Sequence, residues 1–289
     1  MAHTSDSTAD SASAEGGSPR GVHTGPQTAR MYDYYLGGKD NFEVDRAAAQ
    51  EVLNAAPGVA KVARANRHFL HIATEHLARE RGLDQFLDLG TGIPTQPNTH
   101  EIAQYYQPSA RVLYVDHDPI VQTYAQALMI SAPHGRVDYI EADLRSPEGI
   151  LNHPHLTGES PVLDLERPVV VLMVAVLHFV LDSERPADII RALLKPLPSD
   201  SCLVLSHVTE DFAEELTAAA GVYKKRRLPV RLRSGDEIRG LLDGQELELL
   251  EPGMQPVNRW WPGRPAGLAP IPLYTDAEAS CYGLVARKP

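Results

Sequence analysis

Cysteine is nearly absent: Cys202 and Cys281 are the two in 289 residues. That excludes a disulfide framework and suits a cytoplasmic setting. Basic charge is also short. Lys and Arg number 27 against 38 Asp and Glu, a net charge of −11. The summed field disfavours nucleic acid and anionic membrane surfaces, so neither is expected as a partner. No apolar run nears the ~20 residues that span a bilayer. The N-terminus lacks the basic start and apolar core of a signal peptide, so none is expected. No metal site is expected either. What remains is a chain that is 43% hydrophobic, enough for one large α/β domain with extensions.

Residues 1–25 are rich in Ser, Ala, Thr, Gly and Asp, with almost no large apolar side chain. Such a tail buries too little surface to offset its ordering entropy, and it is expected to be disordered. The composition changes at Arg30-Met31-Tyr32-Asp33-Tyr34-Tyr35-Leu36-Gly37-Gly38-Lys39-Asp40-Asn41-Phe42. Three tyrosines precede a Gly-Gly turn. Helical stretches follow at 44–53 and 66–81, the second amphipathic through Leu70, Ala73 and Leu77 and stopped by Gly82. Residues 26–83 are therefore expected to form a helical cap on a domain spanning 84–289.

Alternating units fill that domain. Strands are expected near 84–89, 111–116 and 137–141, with helices near 97–106 and after Asp118-Pro119, where an acid cap precedes a proline at the first helical position. Val121, Tyr124 and Leu128 give the latter helix its stripe. The β-branched run 169–177 suits a central strand covered on both faces. Ser183 is the expected cap of the next helix, through Leu197. A strand follows at 202–206, then a helix capped by Thr209 to about Ala220, and another boxed by Ser234 and Glu237 and ended by Gly244. Late strands at 246–250 and 281–286 are joined by a proline-rich connection and should pair antiparallel. Cys202 and Cys281 would then lie at opposite ends of neighbouring strands, too far apart to bridge. The fold class is α/β: a mostly parallel, seven-stranded sheet, helices on both faces, antiparallel last strand. Ligands of such sheets sit at the carboxyl ends of the strands, near the switch point.

That edge carries the chemistry. Phe86-Leu87-Asp88-Leu89-Gly90-Thr91-Gly92-Ile93-Pro94-Thr95 is a strand ending in an acid and a glycine bend, where the backbone can approach a ligand. A dinucleotide site uses G-x-G-x-x-G. Here Thr95 stands at the third glycine position, Pro94 stiffens the turn, and Asp88 suits an ammonium or sulfonium charge better than a pyrophosphate. A dinucleotide-dependent oxidoreductase is thus the weaker reading.

An acid before Gly-x-Gly, an acid ending the second strand (Asp116) and an acid after the third (Asp143) resemble the Class I S-adenosylmethionine-dependent methyltransferases, with a Rossmann-like fold. A narrower resemblance rests on the Arg30–Phe42 segment, Asp88–Thr95, Val115-Asp116-His117-Asp118-Pro119 and Ala175-Val176-Leu177-His178-Phe179. Together these are similar to one bacterial S-adenosyl methyltransferase family, formerly known as a domain of unknown function. The resemblance implies the fold, S-adenosyl-L-methionine as methyl donor, and S-adenosyl-L-homocysteine as product. It does not imply an acceptor; a small molecule is expected. Pro94 replaces the third glycine usual in the wider superfamily. A protein that binds the cofactor for regulation, without transfer, is the alternative.

The resemblance also implies roles. Gly90, Thr91 and Gly92 would admit the methionine moiety, and Asp88 would orient its ammonium group. Asp116 would accept both ribose hydroxyls through its two oxygens, with His117 beside the adenine and Asp118 as a helix cap. Asp143 would accept from the adenine amino group, or cap a turn, with Leu144 adding a backbone contact. Ala175 and Val176 end the central strand beside the cofactor. His178 is the candidate general base, or a structural histidine. Tyr32, Tyr34, Gly37, Gly38, Asn41 and Phe42 could fold over the cofactor, or the tyrosines could pack in the core. Arg30 would pair with the cofactor carboxylate, or be a surface charge. Trp260 and Trp261 would wall the acceptor pocket or cover the core edge. The basic cluster Lys224–Arg227, with Arg231 and Arg233, reads as a solvated helix end or an anion-binding patch.

Overall fold

The structure, a computed structural model, describes residues 25–128, 130–262 and 273–289. The tail expected to be disordered lies outside them except for Gly25, as do the side chain of Leu128 and the prolines at 265, 270 and 272.

Three helices come first: α1 (Thr28–Leu36), α2 (Glu43–Ala55) and α3 (Val59–Glu75), the last extended by a π turn at His76–Glu80. The sheet then opens with β1 (Gln85–Leu89), α4 (Thr99–Tyr106), β2 (Arg111–Asp116), α5 (Pro119–Leu128) and β3 (Arg136–Glu141). Short helices α6 (Pro147–Leu151) and α7 (Pro154–Thr157) lead to β4 (Val170–Val174), α8 (Pro186–Leu194), β5 (Cys202–Val208), α9 (Glu215–Lys225) and α10 (Gly235–Gly240). The chain ends with β6 (Glu248–Leu249), β7 (Gln255–Pro256), α11 (Asp276–Ala279) and β8 (Cys281–Arg287).

Strand order is β3-β2-β1-β4-β5-β8-β6, with the two-residue β7 also on β8. The first five strands are parallel and β8 runs antiparallel to β5. This is the expected α/β architecture with one small addition, β7. Strand β1 pairs with both β2 and β4. Chain direction across the sheet reverses there, which opens a crevice at the carboxyl ends.

Alternation along the strands fills both faces. Leu87, Leu89, Leu113, Val115, Val171, Met173, Leu203 and Leu205 pack into one core. Their neighbours Phe86, Val112, Tyr114, Val170, Leu172 and Val204 pack into the other, under α3 and α4. A third cluster joins α1, α2, α3 and α9 through Met31, Tyr35, Ala49, Val52, Ala63 and Leu216. The cap thus shares a core with the late helix α9. Register puts Cys202 opposite Arg287 and Cys281 opposite Val208. Both thiols are free and buried, as expected from opposite ends.

Several boundaries differ from the sequence reading. The tyrosine segment is itself a helix, α1, and Gly37 (φ 84°) is its left-handed end. Helix α3 begins seven residues before Asn66. Strand β4 stops at Val174, because Ala175 turns to φ 56° and a 3-10 turn covers Leu177–Phe179. His178 therefore sits in that turn rather than on the strand. Ser183 caps nothing: it lies inside a 3-10 turn, and α8 starts at Pro186. Thr209 holds a turn through Asp211 N–H (3.1 Å), and α9 starts later, at Glu215. The Ser234–Glu237 box and the left-handed Gly82 and Gly244 stand where expected.

Candidate functional site

Each parallel strand delivers its last residue to the same rim. Asp88, near the end of β1, is buried, and its Oδ2 accepts from Thr99 Oγ1 (2.7 Å) at the start of α4. Burial pushes its carboxyl up to about 6, although Thr99 and the charge of Arg67 pull the other way. Gly90 and Gly92 then bend the chain in the left-handed region, φ 70° and 66°. At Gly90 the bend lies against β4's exit: a Cβ there would stand 2.4 Å from Val176 Cγ2. Only glycine fits that bend.

Asp116 ends β2 and staples this loop. Its Oδ2 accepts from Gly92 N–H (2.8 Å) and its Oδ1 from Asp118 N–H (3.0 Å). Burial raises its pKa, and the two amide bonds offset part of that rise. Each carboxylate oxygen keeps a further lone pair. His117 stands more than half exposed beside it, Nδ1 3.5 Å from Asp116 Oδ1. Asp118 caps α5 by accepting from Ile120 N–H (3.0 Å).

These residues line a cleft whose empty space, counted out into its open mouth, is about 1030 Å³. Its floor is Asp88, Gly90, Thr91, Gly92, Val115 and Asp116. His117, Ala142, Leu144 and Arg145 form one side, and Ala175, Val176 and Phe179 the other. Helices α1 and α3 complete the wall through Thr28, Ala29, Tyr32, Asn66, Arg67 and Leu70.

The cap residues divide. Tyr32 lines the cleft; its hydroxyl donates to Ala63 O (3.0 Å) and accepts from Asn66 Nδ2 (2.9 Å). Arg30 lies behind the wall, wholly buried, with Nε on Asp45 Oδ2 (2.8 Å) and Nη1 on Asp118 Oδ2 (2.9 Å). It is neither a surface charge nor part of the cleft lining; its Nη2 is buried without a partner among the described residues. Gly37, Gly38 and Asn41 fold onto Asp33 instead. Asn41 Nδ2 donates to Asp33 Oδ2 (2.7 Å), and any Cβ at Gly38 would overlap that carboxylate. Tyr34 reaches the surface, its hydroxyl on Gln50 (3.3 Å). Phe42 is 45% exposed, over the guanidinium of Arg30. All five lie off the cleft. Asp143 also turns aside: it takes Arg145 N–H (2.9 Å) and its guanidinium (3.2 Å), the turn-cap arrangement.

His178 is 7% exposed, and its Nδ1 is buried with no hydrogen-bond partner among the described residues. Burial, then the charge of Arg233, pull it down to about 3. It stays neutral at physiological pH and is a weak base. Trp260 is buried edge-on to Phe69 and His76, so it closes the core; Trp261 meets His68 on α3. The basic cluster does not form one patch: Arg226 pairs with Glu51, Arg231 with Asp182 and Glu237, and Arg233 is buried.

Asn66 and Arg67 are among the cleft residues the sequence did not flag. Arg67 donates to Thr95 O and to Pro97 O (2.7 Å), and its Nε is buried without a partner. On a helix pattern both look like solvent-face residues; only the packing of α3 across the rim turns them inward.

The sequence profile of the S-adenosyl methyltransferase family matches residues 18–289. The chain belongs to this family. Among solved structures, this methyltransferase is similar to a DUF574 family protein from Streptomyces avermitilis MA-4680, at 44% identity and a TM-score of 0.83, covering 92% of this chain and 98% of that one. A candidate methyltransferase from Thermobifida fusca YX matches at 35% identity and 0.80, over 91% and 95%. The plantazolicin methyltransferase BpumL, solved with a triazolic desmethylPZN analog and SAH, shares 15% identity and a TM-score of 0.53, over 90% and 95%; it bears on the fold alone. No protein of curated function matches the methyltransferase. Among its described residues no helix is long and apolar enough to cross a membrane.

Proposed function

We propose that the cleft is the S-adenosylmethionine site and that the methyl acceptor is a small molecule in the cytoplasm. One observation carries the reading: two buried acids end neighbouring parallel strands on either side of a left-handed glycine bend. The donor set suits the cofactor. Asp116 accepts the ribose hydroxyls with the lone pairs its amide bonds leave free. Asp88 faces the ammonium group, and the bend at Gly90, Thr91 and Gly92 leaves room for the methionine chain. His117 and Leu144 flank the adenine. Arg67, with a buried unpartnered Nε, is the cation for the carboxylate, a role the sequence reading gave to Arg30. Bound there, the cofactor supplies an electrophilic methyl group on a sulfonium sulfur.

The chain's own contribution is orientation and exclusion of water. Helix α1 covers the cleft through Thr28, Ala29 and Tyr32, and holding the reactants in line removes much of the entropic barrier. The neutral His178 positions rather than deprotonates. Two buried free thiols suit a reducing compartment. Isothermal titration with S-adenosylhomocysteine and with NAD tests the reading. Binding of the first alone is expected; binding of NAD alone would overturn it.

A further inference from the structure

A second cavity, about 640 Å³ of empty space counted out into its open mouth, adjoins the cleft between α1, α3 and α9. The two share Thr28, Tyr32, Asn66, Ala175 and Phe179. They are therefore neighbouring chambers across one wall. No Asp, Glu, Lys or Arg lines the second chamber among the described residues. Its wall is aliphatic and aromatic, with Tyr35, Tyr223, Phe179 and His178 among its members.

The tyrosine hydroxyls of this wall are already engaged. Tyr35 and Tyr223 share a hydrogen bond (3.2 Å), and Tyr32 is held by Ala63 and Asn66. His178 differs: its Nδ1 is buried and unpartnered. The ring is wedged against Phe179 (centroids 4.2 Å apart) and stands edge-on to His207 (5.7 Å). His207 is fixed in turn between Val208 O (2.7 Å) and Arg233 Nη1 (2.9 Å). Arg233 also ties down Leu177 O (3.0 Å) and Val180 O (2.9 Å), so the turn bearing His178 is rigid. A guanidinium two shells behind the ring disfavours a charged imidazole. Either neutral tautomer leaves one bare ring nitrogen to accept a hydrogen bond.

We propose that this chamber is the acceptor site, and that it takes a neutral, mostly apolar molecule with one hydroxyl that donates to His178. The proposal rests on the cofactor reading of the adjoining cleft, which makes this the space beside the reacting methyl group. A charged occupant is excluded because the wall offers no counter-charge. An occupant with no hydroxyl leaves the imidazole unpaired.

The test uses the full chain and three probes: naphthol, naphthalene and naphthoate. Affinity for S-adenosylhomocysteine is measured first, by itself. Each probe is then titrated with and without it. Naphthol should bind, naphthalene about fivefold more weakly, the worth of one ordinary hydrogen bond, and naphthoate weakest. His178→Phe should remove the difference between naphthol and naphthalene. Ala219→Phe, on the α9 wall and outside the cleft lining, should abolish naphthol binding and leave S-adenosylhomocysteine binding intact. Equal affinity for naphthol and naphthoate, or naphthol binding untouched by both substitutions, overturns the proposal. If Ala219→Phe does not fold, the probe series on the unaltered chain and on His178→Phe still decides. Absence of S-adenosylhomocysteine binding with the naphthol pattern intact would instead overturn the cofactor reading, and with it the acceptor role, and leave only the ligand class of the chamber standing.

Discussion

Lowering the pH from 7.5 to 5 should weaken S-adenosylhomocysteine binding about tenfold. The reasoning starts at Asp88. Its carboxyl is pushed up to about 6 by burial at the end of β1, so at pH 5 only about one molecule in ten carries the charge there. A ligand ammonium group stays protonated throughout and needs the ionised form. Affinity scales with the ionised fraction, and the tenfold follows. Calorimetric titrations at pH 5, 6 and 7.5 read it directly. Asp116 also has a raised pKa, so the wild-type slope alone does not identify its source. Asp88→Asn separates the two: it should bind more weakly at pH 7.5 and lose most of the slope. A flat wild-type profile, or an equal slope in Asp88→Asn, refutes the assignment. The same shift sets a stability sign. Native Asp88 binds its proton more tightly than the unfolded chain does, so its contribution to folding favours low pH and is lost as pH rises from about 4 to about 6.

Asp116→Ala should reduce S-adenosylhomocysteine affinity by roughly 1–3 kcal/mol, through unpaired ribose hydroxyls; calorimetry with unchanged affinity would remove Asp116 from the site. Gly90→Ala should lower the melting temperature, because the left-handed bend and the close Val176 methyl each oppose a Cβ, together by about 2–4 kcal/mol; a thermal scan like wild type would show that the loop yields freely. Arg30→Ala should destabilise the chain by about 3–5 kcal/mol, since it removes a buried cation from beside Asp45 and Asp118. Urea unfolding measures it, and a change under 1 kcal/mol would mean water reaches the pair.

Much of the fold is legible in the sequence. Apolar runs marked the strands from β1 to β5, the first three of them running into an acid, and Ser234 with Glu237 marked α10 because capping is a local matter. What failed were the features that depend on distant partners. Nothing near Arg30 in sequence indicates that Asp118 will meet it from 88 positions away. Asn41 and the Gly37–Gly38 pair look like a flexible flap, yet the carboxylate of Asp33 gathers them. Arg67 sits on a helix whose apolar stripe was plain, but which of its polar positions meets the rim depends on the angle at which α3 crosses the sheet. Ala175 reads as strand because it is apolar like its neighbours; its left-handed turn lies where β4 leaves the sheet and Val176 packs against Gly90.

The Arg30 bridge limits how molecules get in and out. One guanidinium, sealed from water, joins the first helices to the start of α5. Swinging those helices outward would part a buried cation from two carboxylates, a far steeper climb than a loose flap presents. Ligand exchange that relied on such a swing would meet that cost, so the front segment acts as a fixed wall of the cleft.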